Sequence, residues 1–412
     1  RAWPVAPRVT SAGPGAGPPL GARPGRLRRD LAAFLGWTWR LLAGAFLCFN
    51  APVLSWLTSI AVAGWLYRWM QALVLRGWWR RGPRRPGGSF DEFCRSLGPD
   101  APVSRPRWFW RERGHGFWFR SLWLNFSLGL QAIACTFLVT GWGVAVMYFS
   151  WEFGWLNSFH KGYEQATVGA TLGWFGIFLF LLALVYVPMA QAHQAATGDF
   201  RAFFDVPFVI RLIHARMTAY VALAGLIALL AWPLELFKIA VVFAENIDPS
   251  LADASPAEAQ DWLQRHFRRA AFVLFVSLLL SRGLAAVIYR SAVLKALRRG
   301  WVQPEALHPT LARWLDDLDL WPRPEPGRGG FFGHLRRLGR WTYRGTLYLA
   351  LLLIWFVFTA RIYVGQFFVY HPVVGFLNQP LIQVPCFDYT PSYPDEGQAE
   401  GLNAVAPTTA AR

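Results

Sequence analysis

The chain has 412 residues, of which 54% are hydrophobic and 17% aromatic, and its formal net charge is +17 at pH 7. So apolar a composition, with 23 tryptophans, excludes an ordinary soluble protein. The positive charge would suit nucleic acid, but the cations stand in blocks between apolar segments, as in cytoplasmic loops of membrane proteins, so we expect no nucleic-acid partner. The sequence therefore predicts an all-α, polytopic transmembrane helical bundle.

The first apolar block follows a Pro-, Gly- and Arg-rich tail, residues 1–30, which we expect to be disordered. Proline removes a backbone donor and restricts the residue before it, so Pro52 marks a turn or kink inside the block. We interpret residues 31–75 as an N-terminal transmembrane hairpin with spans at 31–49 and 52–74.

Five more apolar blocks follow, each close to the length that a bilayer requires. They comprise residues 122–150, 167–190, 219–243, 270–289 and 346–369. The sequence thus predicts about seven spans. Six remain possible, because Arg40 would fall near the middle of the first span. If residues 31–42 lie on the membrane surface instead, the N-terminus moves to the outside.

Lys and Arg are distributed unequally among the connections between these blocks. Residues 76–113, which we expect to form a basic cytoplasmic linker, hold ten, and residues 290–344 hold eleven. Residues 151–166 hold one, and residues 245–262 hold none. Because cytoplasmic loops carry the excess of Lys and Arg, we expect the N-terminus inside and the C-terminus outside.

Three segments that mix Arg with aromatic residues precede three of the spans, at 114–126, 198–217 and 329–345. Such segments suit amphipathic helices in the headgroup plane on the cytoplasmic face, with Arg toward anionic phosphates. Ordinary aromatic belts with snorkelling Arg would explain each one singly. The candidate lipid-headgroup contacts are Arg120, Arg201, Arg211, Arg336 and Arg337.

These spans and segments form the predicted main transmembrane domain, residues 114–391. Its last part, residues 370–391, is apolar but rich in Pro, so we expect it to fold over the outer ends of the helices. Residues 392–412 are expected to be disordered.

Arg282 lies inside an apolar run, within the stretch SLLLSRGLAAVIYR. A cation at bilayer depth costs about 3 kcal/mol and normally faces the bundle interior or a water-filled cavity. One interpretation is a structural ion pair or a snorkelling side chain. The other is a binding site for an anionic headgroup or solute, built from Arg282 and Arg361. The remaining candidates for this intramembrane polar site are Glu235 and Lys238.

The sequence contains none of the familiar catalytic, nucleotide-binding or metal-binding motifs. No HExxH motif, Walker-type glycine loop or GxSxG motif occurs, and the four cysteines have no CxxC spacing. We therefore predict no catalytic, cofactor-binding or metal site. One predicted span is followed by four polar residues, Gln191, His193, Gln194 and Asp199. Two interpretations are open: they form a binding site for a ligand at the inner surface, or they cap the end of a helix.

Three segments carry a resemblance to a known family: LNSFHKGYEQATVG, YVPMAQAHQAATGDFRAFF and YHPVVGFLNQPL. They are similar to segments of an uncharacterised family of bacterial polytopic membrane proteins, defined as a domain of unknown function and common in planctomycete-like genomes. The resemblance covers roughly residues 115–385. It implies a helical fold in the inner membrane, and it implies no activity, cofactor or catalytic residue.

Three functions are compatible with this sequence. The one it favours is a noncatalytic, membrane-organising or accessory protein that engages anionic lipids. A transporter or channel for a small or lipid-like solute would require a continuous polar path, but the third and fourth spans supply little toward one beyond Gln131 and Thr136. A membrane enzyme acting on a lipid-linked substrate would require a cluster of carboxylates or histidines at one interface.

Overall fold

The computed structural model describes residues 55–84, 88–97, 117–150, 166–251, 254–323 and 331–365, all within one compact unit. These residues are helical and contain no strand, which confirms the predicted all-α class. The predicted disordered termini, the first span at 31–49 and the tail at 370–391 lie outside them. The basic linker is described at 76–84 and 88–97.

Ten α-helices make up the described part of the chain. They are α1 (Ser55–Trp79), α2 (Phe90–Ser96), α3 (Phe117–Phe149), α4 (Ala166–Thr197), α5 (Val206–Ala215), α6 (Met217–Val242), α7 (Ala244–Ile247), α8 (Pro256–Arg298), α9 (Pro309–Asp317) and α10 (Phe331–Gly365). Short 3-10 turns lie at Phe200–Phe204, Pro249–Leu251 and Pro304–Ala306.

Five of these helices, α3, α4, α6, α8 and α10, are long and apolar enough to cross a membrane. Their apolar stretches are Ser121–Phe149, Thr171–Thr197, Met217–Leu234, Arg268–Arg298 and Trp341–Ala360. They overlap the five predicted spans from residue 122 onward. The count of about seven is not confirmed. Helix α1 overlaps the second predicted span but is less apolar, because it carries Arg68, Gln71 and Arg76.

Helix α4 occupies the centre of the bundle and packs against α1, α3, α5, α8 and α10. Helix α1 packs most extensively against α3. Their backbones approach closely at two glycines: a Cβ on Gly64 would overlap the backbone of Asn125, and a Cβ on Gly129 would overlap that of Ile60. Small residues are the usual means by which helices approach so closely in membranes.

Several connections meet at one end of the bundle, which we name the basic end; α1, α4 and α8 finish there, and α3, α6 and α10 begin there. Trp78 of α1 donates a hydrogen bond to the Arg290 carbonyl at 3.0 Å and packs edge-on against Trp314 of α9. The guanidinium of Arg344 lies over the ring of Trp301, 4.9 Å from its centroid. The described parts of the Arg-rich connections are therefore neighbours in space at the basic end. The opposite end of the bundle, where α7 lies, we name the distal end.

Of the three segments predicted to form interfacial helices, one is separate from the apolar helix that follows it. The segment 198–217 forms a separate element, with α5 ending before Arg216. By contrast, the described parts of 114–126 and 329–345 continue without a break into α3 and α10. The physical reason is that the described parts of these two segments contain no proline, so nothing in them interrupts the backbone hydrogen bonds of the helix. In 198–217, Asp199, Asp205 and Pro207 set new helix starts.

Candidate functional site

Buried polar side chains gather around the last turns of α4, toward the basic end. Gln71 of α1 donates from Nε2 to the Ala196 carbonyl at 3.0 Å. Gln191 of α4 donates from Nε2 to Oγ1 of Thr136 in α3 at 2.9 Å. Gln194 is buried as well. The side-chain oxygens of Gln71 and Gln194 have no hydrogen-bond partner among the described residues, so each can accept a hydrogen bond from a polar ligand.

His193 connects this cluster to α8. Its Nδ1 shares a hydrogen bond of 2.8 Å with the hydroxyl of Tyr289, and both side chains are buried. The imidazole also lies against the ring of Phe208 in α5, with centroids 4.5 Å apart. Because a buried polar group that loses its partner costs about 1–3 kcal/mol, this pair fixes α4, α5 and α8 relative to one another.

Arg282 lies in the interior of the bundle, with 7% of its surface exposed. Its guanidinium lies near Tyr67 of α1. The indole of Trp69, also in α1, covers Gly283 so closely that a Cβ there would lie 2.7 Å from the ring. Arg282 therefore faces α1 within the protein and is shielded from lipid.

The other three members of the predicted intramembrane site, Glu235, Lys238 and Arg361, belong to α6 and α10 by backbone. Their side chains lie outside the described part of the structure, so their pairing with Arg282 stays a prediction. The neighbours of Arg282 in α1 were not predicted, because nothing in the sequence indicates which distant helix packs against α8.

A second buried arginine, Arg68 of α1, was not singled out from the sequence. Its NH1 donates to Oδ1 of Asn125 at 2.6 Å and to Oγ of Ser121 at 3.1 Å, both in α3. A charged donor bound to two polar side chains is compatible with a buried position. The sequence could have identified Arg68, because an arginine inside an apolar block needs partners within the protein.

Residues 199–216, which we name the interfacial segment, lie at the basic end. One face of α5 is buried against the bundle through Phe208, Val209 and Leu212. The segment is also apolar on its exposed side, and that side includes two of the predicted headgroup contacts. The exposed residues are Phe200, Arg201, Phe204, Val206, Ile210 and Arg211. This arrangement places two cations beside an exposed apolar surface.

Asp199 starts the interfacial segment and ties it to the chain before α9. Its Oδ1 accepts from the Arg201 N–H at 2.9 Å, and its Oδ2 lies 3.4 Å from Nε2 of His308. Partial burial acts to raise the pKa of the Asp199 carboxyl, but these two contacts outweigh it and lower the pKa below its ordinary value. The carboxylate contribution to stability is therefore present above the ordinary pKa and is lost as the pH falls through the lowered one.

The remaining predicted headgroup contacts, Arg120, Arg336 and Arg337, lie in α3 and α10 by backbone, and their side chains are outside the described part. Asp316 and Asp317 of α9, and Asp319 just after it, are exposed, whereas the apolar face of α9 is buried. Within the described residues, no group of three or more metal-ligating side chains occurs.

The exposed surface of the five apolar helices is itself apolar. It includes Trp142 of α3, which is 75% exposed, and Leu229, Leu349 and Leu353 of α6 and α10. So many exposed large apolar residues suit hydrocarbon and would promote aggregation of a soluble protein. The architecture is that of a helical multi-pass membrane protein. Comparison of the chain with protein-family models, curated proteins and solved structures found no match.

Proposed function

We propose that the protein is a noncatalytic component of the bacterial inner membrane whose basic end faces the cytoplasm and engages anionic lipid headgroups. In this role it organises the surrounding lipid or serves as an accessory to other membrane proteins. The distribution of Lys and Arg supports this orientation through the positive-inside rule. The assignment to a bacterial inner membrane rests on the resemblance described in the sequence analysis.

One observation carries the proposal: the interfacial segment is apolar on two sides and exposes Arg201 and Arg211. One apolar side is used in packing against the bundle. The other includes Phe204 and Ile210, and exposing it to water would be unfavourable. Burial at the acyl boundary removes that cost and brings both guanidinium groups to the level of the lipid phosphates.

The test is to replace Arg201 and Arg211 together by glutamine. Each cation near an anionic surface contributes about 1 kcal/mol, so we expect the preference for phosphatidylglycerol over phosphatidylcholine to fall roughly 30-fold. The measurement is the lipid retained by the protein from mixed nanodiscs, identified by native mass spectrometry.

The matched control replaces the same number of exposed arginines, Arg313 and Arg323, at the same end. Arg313 lies on α9, whose apolar face is fully buried, and it pairs with Asp317 at 3.9 Å. We therefore expect a much smaller loss of phosphatidylglycerol. Equal losses in the two double variants would mean that lipid binding reflects only net charge, and would contradict the proposal.

A second candidate is a carrier for a small polar solute, which the buried side-chain oxygens of Gln71 and Gln194 favour. Both oxygens would accept hydrogen bonds from such a solute. Proteoliposomes that take up a labelled polar solute with the native protein, and lose that uptake when Gln194 is replaced by leucine, would support a carrier. Equal leakage with and without the protein would exclude it for the solutes tested.

A further inference from the structure

A half-open pocket of about 390 Å³ lies at the distal end, where the start of α8 meets the end of α6 and α7. It is lined by Ala240, Ile247, Asp248, Trp262, Arg265, His266 and Arg269. Its volume is in the range of small-molecule sites. The interfacial segment is at the other end of the bundle, so this pocket is separate from the lipid contacts proposed above.

Aromatic rings and backbone contacts fix the α8 wall of the pocket. Trp262 stacks on His266, with ring centroids 5.1 Å apart and planes inclined by 10°. Nε2 of His266 lies 2.8 Å from the Phe237 carbonyl of α6, which is hydrogen-bonding distance. A capping box of Ser255 and Glu258 holds the beginning of α8. The indole is therefore positioned by its surroundings and presents an aromatic surface beside the pocket.

The charges that line the pocket are of both signs. Arg265 forms an ion pair with Asp261, one turn earlier on α8. Arg269 makes no hydrogen bond or ion pair with another described residue, and Asp248 uses only Oδ1, which accepts from the backbone N–H and the hydroxyl of Ser250. The pocket therefore offers one cation, Arg269, and one carboxylate oxygen, Oδ2 of Asp248, that are not paired with each other.

We infer that this pocket binds a zwitterionic phosphoethanolamine group, as carried by an aminophospholipid. The phosphate would take the hydrogen bonds of Arg269, with Arg265 beside it. The ammonium would pair with Asp248 and lie near the electron-rich face of Trp262. An anionic headgroup would satisfy Arg269 but would be repelled by Asp248, so the mixed charge favours the zwitterion over phosphatidylglycerol.

The position of the pocket favours a lipid over a soluble source of the same group. The apolar stretch of α8 begins at Arg268, between the pocket residues Arg265 and Arg269. Apolar residues near the pocket are exposed, among them Phe243 and Ile247. A headgroup bound here would have its acyl chains beside the apolar helices, whereas free glycerophosphoethanolamine would gain nothing from that surface.

The test is calorimetric titration of the detergent-solubilised protein with dihexanoyl phosphatidylethanolamine, dihexanoyl phosphatidylglycerol and free glycerophosphoethanolamine. We expect the phosphatidylethanolamine to bind most tightly. Replacing Arg269 by glutamine, or Asp248 by asparagine, should weaken its binding about tenfold, since each change removes one charged hydrogen-bond partner. Asp248→Asn should leave phosphatidylglycerol binding unchanged or stronger.

The matched control is Arg268→Gln, which removes the same charge at an adjacent exposed position that does not line the pocket. It should change affinity less than twofold, and thermal unfolding of every variant verifies that the fold is retained. If Arg268→Gln lowers the affinity for phosphatidylethanolamine as much as Arg269→Gln does, binding depends on the general positive charge of this surface and the inference fails. It also fails if Asp248→Asn leaves phosphatidylethanolamine affinity unchanged, or if glycerophosphoethanolamine binds as tightly as the lipid.

Discussion

Replacing Gly129 by alanine is expected to lower the free energy of unfolding by about 2–3 kcal/mol. The added methyl group would overlap the backbone at Ile60, and the same change at Gly64 would overlap the backbone at Asn125. Backbone atoms cannot move aside as a flexible side chain can, so α1 and α3 would have to separate. Separation would also disturb the hydrogen bonds from Arg68 to Ser121 and Asn125.

The measurement is thermal unfolding in detergent of Gly129→Ala and Gly64→Ala beside Gly225→Ala. Gly225 lies within α6, and a Cβ there would have no atom within 4 Å. That control should leave stability unchanged or raise it by up to about 1 kcal/mol, because alanine is the better helix former. If Gly129→Ala unfolds at the same temperature as Gly225→Ala, the close crossing of α1 and α3 is wrong.

Arg282→Ala is the second substitution from which we expect a large loss, about 2–5 kcal/mol. The side chain is buried beside α1, so its removal leaves a void between α8 and α1. Arg282→Met keeps most of the volume and removes the charge, and it should cost much less, since apolar replacement of buried ionic groups is often tolerated. The exposed Arg298, on the same helix, supplies the control: Arg298→Ala should stay within about 0.5 kcal/mol of the native protein.

The same variants distinguish a structural arginine from one that binds an anion. A structural role predicts that Arg282→Met retains stability and the lipids that copurify with the native protein. If Arg282→Met is stable but loses a bound lipid or solute, Arg282 belongs to a binding site and the structural interpretation is wrong.

The sequence predicted the positions of five apolar helices well, because a hydropathy profile detects segments that are apolar enough to be buried in hydrocarbon. It predicted their ends less well. Helix α8 extends from Pro256 to Arg298, far beyond the predicted span at 270–289. Its start is set by the capping box of Ser255 and Glu258, which is a local polar signal that hydropathy does not register.

The partners within the bundle were the least predictable feature. Tyr67, Arg68 and Gln71 lie on α1, yet their neighbours are on α3, α4 and α8. Contacts between distant segments depend on which helices pack together, and apolar periodicity does not determine that. Gly64 and Gly129 carried part of this information, since small residues mark close helix crossings.

The orientation of the basic end can be measured with single cysteines in a background whose four native cysteines are replaced. Gln303, at the basic end, and Gln260, near the distal end, are both exposed. With a membrane-impermeant maleimide, we expect Gln260→Cys to be labelled in intact cells and Gln303→Cys only in inverted vesicles. Labelling of Gln303→Cys in intact cells would contradict a cytoplasmic basic end and, with it, the proposed contact with anionic lipid of the inner leaflet.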